Sequence, residues 1–100
     1  MKLNRKTAIV LFAYNRPSHL RRVLISLEDY KIQKVYVFID GVKNNRDRIC
    51  QKEIDFMLKT NKKIKFKIYK SLKNKGLAKS IENGVSKLTK KYDRLIIYSY

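Results

Sequence analysis

Apolar runs typical of buried strands alternate with amphipathic helical patterns along this chain of 100 residues. The first run, residues 7–14, is almost continuously apolar, β-branched or aromatic, as expected of a central strand buried on both faces of a parallel sheet. The alternation predicts one α/β domain, whole or partial, spanning residues 1–100, with a Rossmann-like parallel sheet and helices on both faces. Its predicted order is β-α-β-α-β-α-β.

The remaining predicted elements follow the same pattern. Pro17 suits the first turn of a helix, whose apolar residues recur at helical spacing until about Tyr30. A second helix has an apolar face predicted from Ile54, Met57, Leu58 and either Ile49 or Cys50, and a third helix begins after Gly76. The predicted strands are residues 35–39, residues 64–69 and residues 94–98. The alternation in residues 64–69 suits either a strand with one wetter face or a strand at an edge of the sheet.

The chain carries a formal net charge of +17, from 25 Lys and Arg against 8 Asp and Glu. Such a charge favours partners that carry phosphate, either nucleic acid, anionic lipid or a phosphorylated ligand. Lysine predominates and is spread over helices, strands and loops, whereas a nucleic-acid surface more often concentrates arginine with aromatic residues. Nucleic acid is therefore not the expected partner. A small basic nucleic-acid-binding α/β protein stays open as an alternative, as does an interaction module that needs a partner at its sheet edge.

The single cysteine and the N-terminal region indicate the compartment. Cys50 has no second cysteine to pair with, which suits a reducing cytoplasm and a buried apolar role. The basic residues before the first apolar run resemble a signal peptide faintly, but residues 8–13 are too few and lack a cleavage site, so we expect a strand. No run approaches the roughly 20 apolar residues that span a bilayer.

Three known classes of α/β protein do not fit the turns of this chain. A dinucleotide-binding fold needs a Gly-rich turn after its first strand, and the residues there are Asn15, Arg16 and Pro17. No phosphate-binding loop of the Walker type is present. A receiver domain needs an acidic pair at the same place and a phosphorylatable Asp after the third strand, where this chain has Lys70 and Ser71.

Three motifs together resemble the amino-terminal, nucleotide-binding half of a GT-A glycosyltransferase, in the branch similar to family 2. They are Val-Leu-Phe-Ala-Tyr-Asn-Arg-Pro at 10–17 with His19, Val-Phe-Ile-Asp-Gly at 37–41, and Asn-Lys-Gly-Leu-Ala at 74–78 with Ser-Ile at 80–81 and Gly-Val at 84–85. The resemblance runs from residue 7 to residue 98. It implies transfer of a sugar, with inversion, from a nucleotide diphosphate of the UDP type to a hydroxyl of a glycan or lipid-linked acceptor.

The resemblance also implies a nucleotide site at the carboxyl ends of the strands, where open α/β sheets bind ligands. In it, Asp40 accepts hydrogen bonds from the uracil N–H or a ribose hydroxyl, and Arg16 faces the diphosphate. The full set of implied nucleotide-binding residues is Tyr14, Asn15, Arg16, Asp40, Gly41, Asn74, Lys75, Gly76 and Lys79.

Several of these residues also have an ordinary structural explanation. Asp40 suits an Asp-Gly turn in which the carboxylate bonds its own backbone. Asn15 suits an N-cap of the first helix. His19 suits a surface or packing role, and Gly76 and Gly84 suit backbone geometry and close packing of the third helix.

The end of the chain departs from the family pattern. In the family, the fourth strand leads into an acidic motif that holds Mn²⁺ or Mg²⁺, and this cation stabilises the leaving diphosphate. Ser99 and Tyr100 stand where the first acids are expected, so we assign no catalytic or metal-binding residue. We expect a truncated enzyme, inactive alone, from a cytoplasmic protein whose lysine-rich surface is compatible with work beside the anionic inner leaflet of the membrane.

Overall fold

The structure is a computed structural model, and it describes residues 7–99. Four strands alternate with three helices: β1 (Thr7–Ala13), α1 (Pro17–Asp29), β2 (Lys34–Ile39), α2 (Asn45–Thr60), β3 (Lys65–Lys70), α3 (Leu77–Leu88) and β4 (Arg94–Tyr98). All strands run parallel in one sheet of order β3-β2-β1-β4. The predicted α/β class and element order are confirmed.

Strand β1 lies in the interior of the sheet and pairs with a strand on each side. Val10 lies opposite Tyr36 of β2 on one side and opposite Ile97 of β4 on the other. Strand β3 pairs with β2 and forms one edge, which is one of the two arrangements that its alternating sequence allows. Strand β4 forms the other edge, where Ile96 and Ile97 remain 47% and 41% exposed.

Helices cover both faces of the sheet, as predicted. The first face packs against α1 and α2 through a core of Leu11, Ala13, Leu20, Leu24, Leu27, Val35, Val37, Ile39, Ile54, Leu58 and Ile64. The second face packs against α3 through Ala8, Val10, Phe12, Tyr36 and Leu88. Within residues 7–99, no helix is long and apolar enough to cross a membrane.

The N-terminal half of α2 differs from the prediction. Ile49 is 63% exposed and Cys50 is only half-buried, so neither extends the apolar face as expected. The buried residues of the first turns are instead Asp47 and Gln51, which share a helix face with Ile54. The helix is turned this way because both polar side chains form hydrogen bonds with the loops at the carboxyl edge of the sheet.

Gly84 lets α3 approach the sheet closely, as predicted. A Cβ at this position would lie 2.8 Å from the ring of Phe12, which is buried and has no room to move. Replacing Gly84 with alanine should cost about 1–3 kcal/mol by overpacking, partly offset by about 1 kcal/mol of helix propensity. Urea unfolding should therefore show a net loss, whereas the exposed Ser86→Ala should not. Equal stability of Gly84→Ala and the wild type would contradict this packing.

Candidate functional site

The carboxyl ends of the parallel strands lie along one edge of the sheet. The strand order β3-β2-β1-β4 matches the first four strands of the Rossmann order, in which ligands bind outside these ends. The loop after β1 carries Asn15, the loop after β2 carries Asp40, and the loop after β3 carries residues 74–76. The three sequence motifs thus meet at the carboxyl edge of the sheet.

Asp40 joins two of these loops through its carboxylate. The side chain is 2% exposed, and its Oδ1 accepts from the backbone N–H groups of Gly41 and Lys75, each at 2.8 Å. Its Oδ2 accepts from the N–H of Gly76 at 2.9 Å. The Asp-Gly turn is therefore present, and the same carboxylate fixes the entry into α3. A direct bond from Asp40 to a nucleotide stays a prediction.

Further contacts hold the same two loops together. The side-chain amide of Asn74 donates to the carbonyl oxygen of Gly41 at 2.8 Å, and that of Gln51 donates to the carbonyl oxygen of Asp40 at 2.6 Å. A Cβ on residue 41 would lie 2.6 Å from the carbonyl oxygen of Lys73. Only glycine at position 41 leaves room for this approach of backbone to backbone.

Gly76 provides the backbone conformation that begins α3. Its φ of 84° and ψ of 160° fall in a region that is essentially restricted to glycine. This conformation lets its N–H bond Asp40 while the helix starts at the next residue. The predicted geometric role of Gly76 is thus confirmed. Lys75 and Lys79 are exposed beside it, and Lys79 lies 3.4 Å from Glu82.

Asp47 ties the loop after β1 to the start of α2. It is 3% exposed and accepts from the Tyr14 hydroxyl, from the Asn15 side-chain amide at 2.9 Å and from the Lys43 N–H at 3.0 Å. The capping role predicted for Asn15 is wrong, because its amide donates to Asp47 and the N-cap residue of α1 is Arg16.

Sequence reasoning missed Asp47, although one local signal was present. Asn44 precedes Asp47 by three residues, and an Asn at that spacing before an amphipathic run is typical of a helix start. In the structure, the Asn44 side chain indeed accepts from the Asp47 N–H at 2.9 Å. That signal identifies the helix start, but it does not identify Tyr14 and Asn15 as partners more than 30 residues away.

The Tyr14–Asp47 pair shifts the pKa of both groups. Burial, followed by the hydrogen bond to the Asp47 carboxylate, raises the pKa of Tyr14 from 10.0 to about 12. The Tyr14 hydroxyl and the Lys43 N–H hold the pKa of Asp47 below its usual value of 3.8. At neutral pH the pair is a protonated phenol that donates to an ionised carboxylate.

Tyr14→Phe should remove an alkaline component of stability. A raised folded-state pKa gives stabilisation that is present below pH 10 and is lost as the pH rises through about 12. The wild type should therefore exceed Tyr14→Phe in free energy of unfolding at neutral pH, and this difference should shrink between those two pH values. Denaturant unfolding across that range measures it. A difference that does not change with pH would contradict the Tyr14–Asp47 bond.

Asp47→Asn should remove an acid component of stability. A lowered folded-state pKa gives stabilisation that is present above pH 3.8 and is lost as the pH falls through the folded-state value. The advantage of the wild type over Asp47→Asn should thus be full at neutral pH and should decline on acidification. Exposed Glu53→Gln on the same helix is the matched control and should show little difference at any pH.

The space beside the carboxyl ends of β1 and β4 is closed rather than open. His19 Nε2 lies 3.1 Å from the carbonyl oxygen of Ser99, which links α1 to the residue after β4. The cavity beside them has a volume of only about 10 Å³. His19 therefore has the packing role predicted for it, while Arg16 at the start of α1 is exposed.

Metal ligands are not clustered in residues 7–99, where no group of three or more His, Cys, Asp or Glu side chains is placed to hold an ion. Ser99 is exposed after β4. Tyr100, the second residue at the position of the expected acidic motif, lies outside the described residues.

Comparison of the chain with protein-family models, with curated proteins and with solved structures gives no match. The candidate site consequently depends on the geometry of the carboxyl edge and on the three motifs that meet there. The structure brings Tyr14, Asn15, Asp40, Gly41, Asn74, Lys75 and Gly76 into two adjoining hydrogen-bond networks, with Arg16 and Lys79 exposed nearby in the chain.

Proposed function

We propose that this chain is the donor-nucleotide half of a nucleotide-sugar-dependent glycosyltransferase of the GT-A kind. The observation that carries the proposal is the pairing of the loop after β2 with the loop before α3 through Asp40. It holds two of the three motifs at the edge where α/β sheets bind ligands. The third motif, Asn15 with Tyr14, is held at the same edge by Asp47.

The residues of this site divide into ligand-facing and positioning groups. Exposed cations suit the diphosphate, since Arg16 presents a planar fork of donors and Lys75 lies at the entry into α3. Tyr14 and Asn15 are half-buried and suit the wall of a base and ribose pocket. Asp40 and Asp47 act as positioning residues, because their carboxylates hold the loops that carry the others.

The proposed reaction of the whole enzyme transfers a sugar from a UDP-type donor to a hydroxyl of a glycan or lipid-linked acceptor. Mn²⁺ or Mg²⁺ would neutralise the leaving diphosphate in such an enzyme. Residues 7–99 supply neither a general base nor metal ligands to this scheme, so we assign them nucleotide binding alone. A cytoplasmic location beside the anionic inner leaflet fits the basic surface and belongs to the same proposal.

Calorimetric titration with UDP tests the proposal. Asn15→Ala should weaken UDP binding about tenfold, because it removes the polar side chain that Asp47 holds in place at the proposed site. The matched control is Asn83→Ala, which removes the same amide from an exposed position on α3 and should leave the affinity unchanged. Uridine and inorganic diphosphate, titrated separately, should each bind more weakly than UDP.

The opposite pattern would overturn the proposed site. If Asn83→Ala weakens UDP binding and Asn15→Ala does not, the nucleotide binds on α3 and not at the carboxyl edge. If inorganic diphosphate binds as tightly as UDP, the site recognises phosphate charge and has no pocket for a base.

A further inference from the structure

A second concave surface lies on the α3 side of the sheet, away from the Asp47 network. This groove, which we call the α3 groove, has a volume of about 450 Å³. Its lining residues are Phe38, Ile39, Tyr69, Lys70, Ser71, Lys75, Ser80, Asn83, Ser86, Lys87 and Lys90. None of them is acidic.

The α3 groove exists because α3 presents two different stripes. Leu77, Ile81 and Leu88 pack with the sheet on its β1 and β4 side. A neighbouring stripe of small polar residues and lysines, from Ser80 to Lys90, faces β2 and β3 and does not fill the space above them. At 1.5 Å per helical residue, the part of this stripe from Ser80 to Lys87 is about 10 Å long, and Lys90 lies in the turn after the helix.

Acidic residues are divided unequally between the two faces. Five of the eight acidic residues lie on the helices of the other face, namely Glu28, Asp29, Asp47, Glu53 and Asp55. Lys70 bonds Asp55 at 2.9 Å, so its charge is neutralised on that face. Lys75, Lys87 and Lys90 remain exposed on the α3 side without an acidic residue in the groove.

Strand β3 extends this line of positive charge. Side chains alternate along a strand, so Lys65 and Lys67 share the face of Tyr69, and both are exposed. Lys65 and Lys67 thus add exposed positive charge on the α3 side to that of Lys87 and Lys90, which line the α3 groove. A concave surface with several separated lysines complements a chain of phosphates better than a flat bilayer or a single phosphate.

The stacked aromatic rings beside the α3 groove have covered faces, so a ligand in the groove meets ring edges and not ring faces. Phe12 stacks on Phe38 at 5.4 Å, Phe38 stacks on Tyr69 at 4.8 Å, and the Lys87 ammonium lies 4.7 Å from the Tyr69 ring centre. Bases therefore find no open ring to stack on, in contrast to platforms that bind single strands through aromatic faces. Recognition here would come from phosphates and would tolerate any sequence.

We propose that the α3 groove binds single-stranded nucleic acid through its phosphodiester backbone. Lys87 and Lys90 face the phosphates, Ser80 and Ser86 provide hydroxyl donors between them, and Lys65 and Lys67 extend the contact along β3. This site adjoins the proposed nucleotide site at Lys75, which lines the α3 groove, but it uses neither Asn15 nor Asp47.

Fluorescence anisotropy with labelled oligo-dT and oligo-rU of about 12 nucleotides, a length within known single-strand site sizes, tests the proposal. Lys87→Gln/Lys90→Gln should weaken binding about tenfold and reduce the salt slope by about 1.4, the value for two lost phosphate contacts on a single strand. Lys52→Gln/Lys59→Gln changes the net charge equally on the opposite face and should have little effect. The two oligonucleotides should bind with similar affinity.

Three results would overturn the proposal. Equal weakening by both double variants would show that the net charge alone attracts the strand. If inorganic diphosphate competes as well as an oligonucleotide at the same concentration of phosphate groups, the groove is a compact anion site. Binding to phosphatidylserine vesicles that is lost in Lys87→Gln/Lys90→Gln, without any change for oligonucleotides, would assign the groove to the membrane surface.

Discussion

Asp40→Ala is expected to lower the free energy of unfolding by roughly 3–5 kcal/mol. The substitution leaves the N–H groups of Gly41, Lys75 and Gly76 without their carboxylate acceptor, and each buried unsatisfied donor costs about 1–3 kcal/mol. Solvent that enters the opened loop recovers part of this cost. Denaturant unfolding monitored by circular dichroism measures the loss.

Asp40→Asn distinguishes the effect of lost hydrogen bonds from the effect of lost side-chain volume. Asparagine keeps one acceptor oxygen, so it should retain the bonds at Oδ1 and lose the bond from Gly76 at Oδ2. Its cost should be about 1–3 kcal/mol, between those of the wild type and Asp40→Ala. Wild-type stability in Asp40→Ala would contradict the role of Asp40 in holding the loop before α3.

Gly41→Ala is expected to cost about 3 kcal/mol, at the upper end of overpacking substitutions. The added Cβ would meet the backbone of Lys73 and Asn74, with a separation of only 2.6 Å from the Asn74 nitrogen. Backbone atoms cannot change rotamer, so the whole loop must move away from Gly41. That movement also breaks the bond from the Asn74 amide to the Gly41 carbonyl.

Asn74→Ala is the comparison for this effect. It removes the same hydrogen bond without adding an atom, so it should cost only about 1 kcal/mol. Chemical unfolding of both variants should place Gly41→Ala well below Asn74→Ala. A Gly41→Ala protein as stable as Asn74→Ala would mean that the two loops do not approach as closely as described.

The elements of the fold were predictable because the signals for them are local. The continuous apolar run of β1 predicts a central strand, and the sheet confirms it. The alternation in β3 allows an edge strand, and β3 lies at an edge. Pro17 and Gly76 mark the starts of α1 and α3 correctly. In each case the residues that carry the signal are within one turn or one strand of the feature.

The polar contacts of the site could not be predicted in the same way. Helical periodicity alone predicts that apolar residues of α2 such as Ile49 are buried. The buried residues are instead Asp47 and Gln51, while Ile49 is exposed. Their burial is compensated by partners elsewhere in the chain, since Asp47 bonds Tyr14 and Asn15 and Gln51 bonds the Asp40 carbonyl. Periodicity reports which face of a helix is buried but not which polar groups meet across loops.

The division of charge between the two faces was also hidden in the sequence. Lysines spread evenly along the chain predict a solvated surface, and many of them are exposed as expected. The fold nevertheless places most acidic residues beside α1 and α2, and it leaves Lys87 and Lys90 in a groove without acidic residues. Such a patch depends on the positions of α3 and β3 in space and not on any run of charges.

An amide NMR titration of the protein with UDP, with and without Mn²⁺, tests the proposed nucleotide site most directly. We predict shifts that saturate and are confined to the carboxyl edge, at residues 14–16, 40–41 and 74–79, while residues 83–90, the part of the α3 groove distant from Lys75, stay unperturbed. Dispersed resonances that do not respond to UDP, or that respond only along residues 83–90, would contradict nucleotide binding at the carboxyl edge.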